Sequence, residues 1–381
     1  MAALKYKLPF LDGLKHVTRH ADETNGVSIE NCIGFAQVPL GIAGPLRVEG
    51  PDNTSDIFYA PLATCEAALV ASCSRGCKAF NQCGGIQFEI LDEAMSRAPT
   101  FIFPSPKEAV SFSRLVPSLQ PRFAEDAACT SRHVQLQTLT PHIIGSTVHV
   151  RFSFRCGDAA GQNMVTIATQ ACCDNFMMSP LARQLKVEKI LSEAQLTSDK
   201  KPSWGNVMQT RGVQVICWGK LTTEVCQSVF RCTSEDLYRT LVIAKEGEIR
   251  NGQFGSNINA SNIVVALFIA CGQDAACAVD GSWSQLTPEY NYQTGELRLS
   301  MYFPSLPVGV IGGGTSYGTQ KECLGILNCD GPGMKGRLAG LIAAFSLALD
   351  ASTVAAITEN TFSHAHERLR KRTGSRREFK E

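Results

Sequence analysis

Apolar residues along the chain fall into two textures. Runs of small apolar side chains, "PLATCEAALVASCSRGCKAF" (61–80), "ASNIVVALFIACGQDAACAV" (260–279) and "LAGLIAAFSLALDASTVAAI" (338–357), predict closely packed helices. Other segments alternate apolar with polar residues or are cut by Pro and Gly every few positions. "ENCIGFAQVPLGIAGPLRVEG" (30–50), "GVQVICWGKLTTEV" (212–225) and "GELRLSMYFPSLPVGVIGGGT" (295–315) accordingly predict strands and turns. The two longest apolar runs carry Asn262, Gln273, Asp274 and Asp350. Polar groups among small residues place such helices inside a protein rather than in lipid.

From 99 to 192 the pattern changes. "PTFIFPSPKEAVSFSRLV" predicts strand, turn and helix, with Ser105 as N-cap and Pro106 and Glu108 in the first turn. "SRHVQLQTLTPHIIGSTVHVRFSFRCGDAAGQNM" predicts two alternating strands broken at Gly145, then a helix after Gly161. This strand–helix–strand–strand–helix order suggests a small ferredoxin-like α+β unit inserted into a larger domain. The expected division is an N-terminal arm over 1–27, a large domain from 28–98 and 193–381, and the insert over 99–192.

Composition narrows the class without naming a chemistry. The chain has 381 residues, 44% hydrophobic and 19% charged, with a net charge of +1. That balance is ordinary for a globular protein and gives no reason to expect nucleic acid as a partner. There are 16 cysteines but no CxxC pair and no secretory signal, which predicts reduced thiols in a cytoplasmic protein. Cys65, Cys73, Cys271 and Cys277 fall within apolar helical runs, as small hydrophobes do.

Several short stretches carry candidate chemistry. Glu66 and Asp274 sit in apolar runs, where a carboxylate needs a partner or a raised pKa. "TSDKKPSW" (197–204) is a rigid turn that either lies in solvent or aims ammonium groups at an anion or a carbonyl oxygen. "CGDAAGQNM" (156–164) places two glycines before a helix, as a simple turn or as a phosphate-binding helix start. "VGVIGGGTS" (308–316) is a glycine-rich turn closing a strand. His364 and His366 in "SHAHERLRKR" form an HxH pair without a third ligand at matching spacing, so no metal site is expected.

Taken in order, "ENCIGFAQVPLGIAGPLRVEG", "APLATCEAALVASCSRGCKAF", "RFSFRCGDAAGQNM", "TSDKKP", "NIVVALFIACGQDAA", "PSLPVGVIGGGTS" and "SHAH" resemble the successive motifs of the 3-hydroxy-3-methylglutaryl-CoA (HMG-CoA) reductase family, closest to the catalytic portion of the eukaryotic-type enzymes. The resemblance covers roughly residues 28–366. It implies an α/β (α+β) protein, with a large substrate domain around a buried helix and an inserted ferredoxin-like NADP-binding domain. It also implies active sites shared between subunits of a homodimer or homotetramer. The implied reaction is reduction of a thioester to an alcohol through a hemithioacetal and an aldehyde, using two NADPH and no metal. The motifs carry the catalytic roles onto Glu66, Lys200, Asp274 and His364. By the same likeness Ser72 and Arg75 would serve coenzyme A, and Arg97, Asp199, Lys201 and Asn262 the acyl end. Ser131, Arg132, Asp158, Gly161, Gln162 and Asn163 would serve NADPH. The expected roles are an oxyanion-stabilising Lys200, a Glu66 kept protonated by burial in its helix, an Asp274 tuning both, and a His364 that protonates the departing thiolate.

The chain departs from the family pattern at several points. Ala67 replaces the usual glycine, Gln162 a methionine, His133 an aromatic, Glu193 a serine and Asn259 a histidine. The helix usually reading AGELSL is "AAFSLA", and the loop before Asn262 looks shortened, leaving Lys245 and Arg250 as candidates for the acyl carboxylate. Three readings follow: an HMG-CoA reductase, the same site acting on a different acyl-CoA or a non-thioester, or a non-catalytic relative.

Overall fold

The chain is described here from a computed structural model, which covers residues 14, 16, 17 and 26–361. A hairpin of β1 (Leu40–Gly50) and β2 (Thr54–Ala63) leads into α1 (Leu69–Gln82) and β3 (Ile86–Arg97). Next come β4 (Thr100–Ile102), α2 (Pro106–Leu115), α3 (Gln120–Ala128), β5 (Gln135–Ile144), β6 (Thr147–Arg155), α4 (Gln162–Met177), α5 (Pro180–Gln184) and β7 (Lys189–Leu191). The chain continues through α6 (Trp204–Met208), β8 (Gly212–Leu221), α7 (Thr223–Val225), α8 (Ser234–Asn251), α9 (Ala260–Ala270) and α10 (Ala278–Gly281). It closes with β9 (Gln285–Tyr290), β10 (Leu297–Leu306), α11 (Gly318–Ile326) and α12 (Lys335–Thr358).

Two apolar cores form around one strand. β3 pairs with β8 along most of its length, and its last three residues pair instead with β6. On the far side of that junction the strand order is β7-β4-β6-β5, all antiparallel, with α2–α3 and α4 as the crossovers. This is the ferredoxin-like arrangement expected from the sequence. Its core is built on phenylalanines, with Phe101 and Phe112 ring centroids 4.6 Å apart and Phe176 against both. Local signals agree with it: Ser105 caps α2 by accepting the Lys107 N–H, and Pro106 occupies the first turn.

The larger core surrounds α12. Every residue from Leu338 to Ala355 is buried, which is why the helix is apolar on all faces. Its length and composition would suit a membrane, but 89% of the apolar window is covered by protein. α1 crosses it at Gly76, where an added Cβ would lie 1.8 Å from the Ala348 carbonyl oxygen, so only glycine permits this approach.

Two expected helices are shorter than their apolar runs. α1 begins at Leu69 after a left-handed Ala68 (φ 76°), so Cys65 and Glu66 lie in the preceding turn, exposed, and not in the helix. α9 ends at Ala270, before the left-handed Gly272, and Asp274 instead caps the short 3-10 turn Ala275–Cys277. Both candidate carboxylates are therefore on loops. All 16 cysteines are free.

Candidate active site

The turn Ser198–Lys201 is built on two left-handed non-glycine residues, Ser198 (φ 51°) and Lys200 (φ 59°). It presents Lys200 Nζ to Asp274 Oδ2 at 2.9 Å, with both side chains about two-fifths exposed (43% and 42%). The Asp274 hydrogen bond raises the Lys200 pKa against partial burial. At Asp274 burial works upward, but the Lys200 contact and the Ala276 N–H outweigh it and hold the carboxyl below its usual range. Both groups therefore carry charge at neutral pH, and a charged ammonium placed this way is able to stabilise a nearby oxyanion.

Beside this pair lies a chain of charges that runs from the partly exposed Asp199 to the buried Arg211 and Asp280. Asp199 Oδ2 accepts from Arg97 at 3.2 Å and Asp199 Oδ1 from Arg211 at 2.7 Å. Arg211 is fully buried (0% exposed) and donates its other terminal nitrogen to Asp280 at 2.9 Å. Burial pushes the Asp280 carboxyl up to about 6, against the pull of Arg211. Lys201 Nζ donates back to the Asp199 carbonyl at 3.1 Å. Glu193 accepts from the Ala98 N–H and the Thr197 hydroxyl and so ties the turn to the end of β3.

The glycine-rich segments meet on one side of this turn. Asp158 accepts the Gly333 N–H through its side chain and the Val310 N–H through its carbonyl, and Ala159 bridges to Ile311. Gly161 (φ 85°) precedes α4, and an added Cβ would lie 2.5 Å from Cys156 Sγ. The first α4 amides consequently have no side-chain cap, as an anion-binding helix start needs. Asn163 is exposed in that first turn, while Gln162 Nε2 contacts Cys277 Sγ at 2.8 Å and links α4 to the Asp274 loop. Ser131 and the exposed Arg132 lie in the α3–β5 loop, whose His133 comes up against Gly157.

Ser72 and Arg75 are brought together elsewhere, on α1. Ser72 Oγ lies 3.0 Å from Ser352 Oγ of α12, and Arg75 Nε donates to that same hydroxyl at 2.9 Å. Asn262 is half-buried in the first turn of α9. Lys245 and Arg250 are exposed on α8 and make no hydrogen bond or ion pair with the Arg97–Lys201 group. His364 and His366 lie outside the described residues.

Glu66 requires a correction. The expected buried, helical carboxylate is instead exposed in the β2–α1 turn, and among the described residues it makes no side-chain hydrogen bond or ion pair. The reason is local: Thr64 accepts the Glu66 N–H, and the left-handed Ala68 starts the helix after it. Asp274 is likewise exposed rather than buried in α9. No group of three or more His, Cys, Asp or Glu side chains is placed to hold a metal among the described residues.

With this geometry in hand, similarity supplies the family. A profile described as hydroxymethylglutaryl-coenzyme A reductase matches residues 9–371. The chain belongs to the HMG-CoA reductase family. It is 36% identical to the 3-hydroxy-3-methylglutaryl-coenzyme A reductase of Pyrococcus abyssi, over 96% of this chain and 90% of that one. Identity to the Methanocaldococcus jannaschii reductase is 35%, over 93% and 88%. The Capsicum annuum reductase 2 is 34% identical over 95% of this chain and 60% of its own length. In fold it is similar to the class II reductase of Streptococcus pneumoniae solved with NADPH bound (TM-score 0.66, 17% identity, 86% of this chain and 78% of that chain).

Within this HMG-CoA reductase fold, Arg211, Asp280 and Ser352 were not singled out by the sequence reading. Arg211 sits before a strand like any turn residue, and only the fold reveals that it is buried between two carboxylates.

Proposed function

We propose that the protein catalyses the NADPH-dependent reductive deacylation of HMG-CoA to mevalonate and CoA, with two NADPH consumed per turnover. The carrying observation is the 2.9 Å pair of Lys200, on the DKK turn, with Asp274, backed by the Asp199–Arg211–Asp280 chain, whose arginine and Asp280 are buried. NADPH would supply the two hydrides, one to the thioester carbonyl and one to the aldehyde. Lys200 stabilises the oxyanion formed at each addition, and Asp274 keeps the ammonium charged and aimed. Glu66 donates the proton that completes the alcohol, and His364 protonates the CoA thiolate.

The two cores support a division of the described chain between a large substrate domain (28–98 and 193–381) and an inserted NADP-binding domain (99–192), while the arm over 1–27 rests on the sequence alone. The uncapped start of α4, with Asp158, Gly161, Gln162 and Asn163, suits the cofactor's phosphates, and Ser131 and Arg132 lie in the neighbouring loop. On α1, Ser72 and Arg75 would meet coenzyme A, while Arg97, Asp199, Lys201 and Asn262 would meet the acyl end. Among the described residues the exposed Glu66 carboxylate has no side-chain partner, which is compatible with a site completed by a second copy in a homodimer or homotetramer. Exposed Leu40, Ile42, Ile57 and Tyr59 on the β1–β2 hairpin offer that copy an apolar surface. Sixteen free thiols suit a cytoplasmic setting. Purified protein should oxidise NADPH fastest with HMG-CoA in a panel of acyl-CoAs; a faster rate with another member, or none with any, would overturn the assignment.

A further inference from the structure

Two chain segments face each other at the site, 199–201 and 274–280, and they are joined by two rungs. The upper rung is the half-exposed Lys200–Asp274 pair. The lower is Asp199–Arg211–Asp280, at 2.7 and 2.9 Å, with the guanidinium fully buried. We propose that Arg211 and Asp280 are positioning residues that set the placement of Lys200 through Asp199, a claim that rests on the catalytic reading of Lys200 above.

The geometry supports this on three counts. The lower rung attaches one residue before Lys200 and six after Asp274, so it fixes the separation of the same two segments that carry the upper rung. Ser198 and Lys200 occupy left-handed backbone conformations, each costing about 1–2 kcal/mol, so the turn persists only where surroundings hold it. Asp199 provides that hold, because each of its oxygens is taken by a different arginine and its carboxylate cannot rotate. Arg211 is itself anchored, its N–H donating to Ser305 Oγ at 2.9 Å on β10. Among the described residues Arg211 Nε and Asp280 Oδ1 have no hydrogen-bond partner although buried, so stability alone does not explain why this ion pair lies in the core.

The charges facing Asp280 are Arg211 from the start of β8 and Asp199 from the turn; Cys277 lies close on its own segment. Asp280→Asn removes one carboxylate while keeping volume, and Arg211→Lys keeps the charge but loses the fork that spans two carboxylates. In both variants kcat should fall roughly 10–100-fold, the loss expected from misplacing a catalytic group by about 1 Å. KM for NADPH should change less than about threefold, and the circular dichroism spectrum should be retained. Asp280→Glu should recover most of the rate.

A second readout needs no turnover: competitive acetylation of Lys200, followed by mass spectrometry, should speed up severalfold in Asp280→Asn and Arg211→Lys. Unchanged kcat and unchanged Lys200 acetylation would overturn the proposal, as would a loss shown only as unfolding. A wild-type protein that turns nothing over, with Lys200 acetylation still raised in both variants, would defeat the reductase reading and leave the positioning claim supported.

Discussion

Lys200 is held charged by its contact with Asp274, and the catalytic role proposed for it can be tested residue by residue. Lys200→Met should lower kcat by roughly 10²–10³, the loss typical of one oxyanion donor, while NADPH binding measured by fluorescence titration is kept. Asp274→Asn removes the main cause of the raised Lys200 pKa. The ammonium then loses its proton at lower pH, so the alkaline limb of the kcat–pH profile should move down; an unmoved limb would place the titrating group elsewhere. At this scale the sequence was informative where the paired residues sit in contiguous motifs. DKK pointed to the turn, and GQD to its partner. Arg211 was invisible because its setting comes from hydrogen bonds to residues twelve positions before it and sixty-nine after it in the chain. Glu66 was misread because a run of small residues looks helical, while one left-handed alanine moves the helix start past it.

Among the elements, α12 is the one the rest is packed around, and its apolar length was legible from the pattern alone. Its buried carboxylate was noted in the sequence, but its use was not. Asp350 is fully buried and accepts the N–H groups of Ile258 (2.9 Å) and Asn259 (3.0 Å), so one helix caps the approach to another. Burial nevertheless pushes its carboxyl up to about 7. A folded-state pKa above the unfolded value favours the neutral form in the native state. This contribution to stability is therefore full below about pH 4 and lost as pH rises through about 7. Thermal unfolding at pH 5 and pH 8 should show a lower Tm at pH 8, and Asp350→Asn should shrink the difference; an equal difference in both proteins would refute it. At the α1–α12 crossing, Gly76→Ala should cost about 1–3 kcal/mol or more, because a backbone carbonyl cannot yield to the new methyl group. Denaturant titration checks this.

At the scale of the whole molecule, the inserted βαββαβ unit was legible because its caps and turns are local signals. The joining of its sheet to the larger one through β3 was not, since strand pairing across the chain leaves no local trace. If Glu66 and Lys200 of one site come from different copies, mixing Glu66→Gln with Lys200→Met subunits should restore about one quarter of the wild-type rate, through mixed dimers that hold one intact site. Self-sufficient chains would show no recovery. The most direct test of the reductase itself is the stoichiometry of NADPH oxidised to mevalonate formed, measured beside Lys200→Met. Two NADPH per mevalonate, with turnover nearly abolished in the variant, is the expected result. A folded wild-type protein that leaves NADPH unoxidised in the presence of HMG-CoA, or a Lys200→Met variant that keeps the full rate, would contradict it.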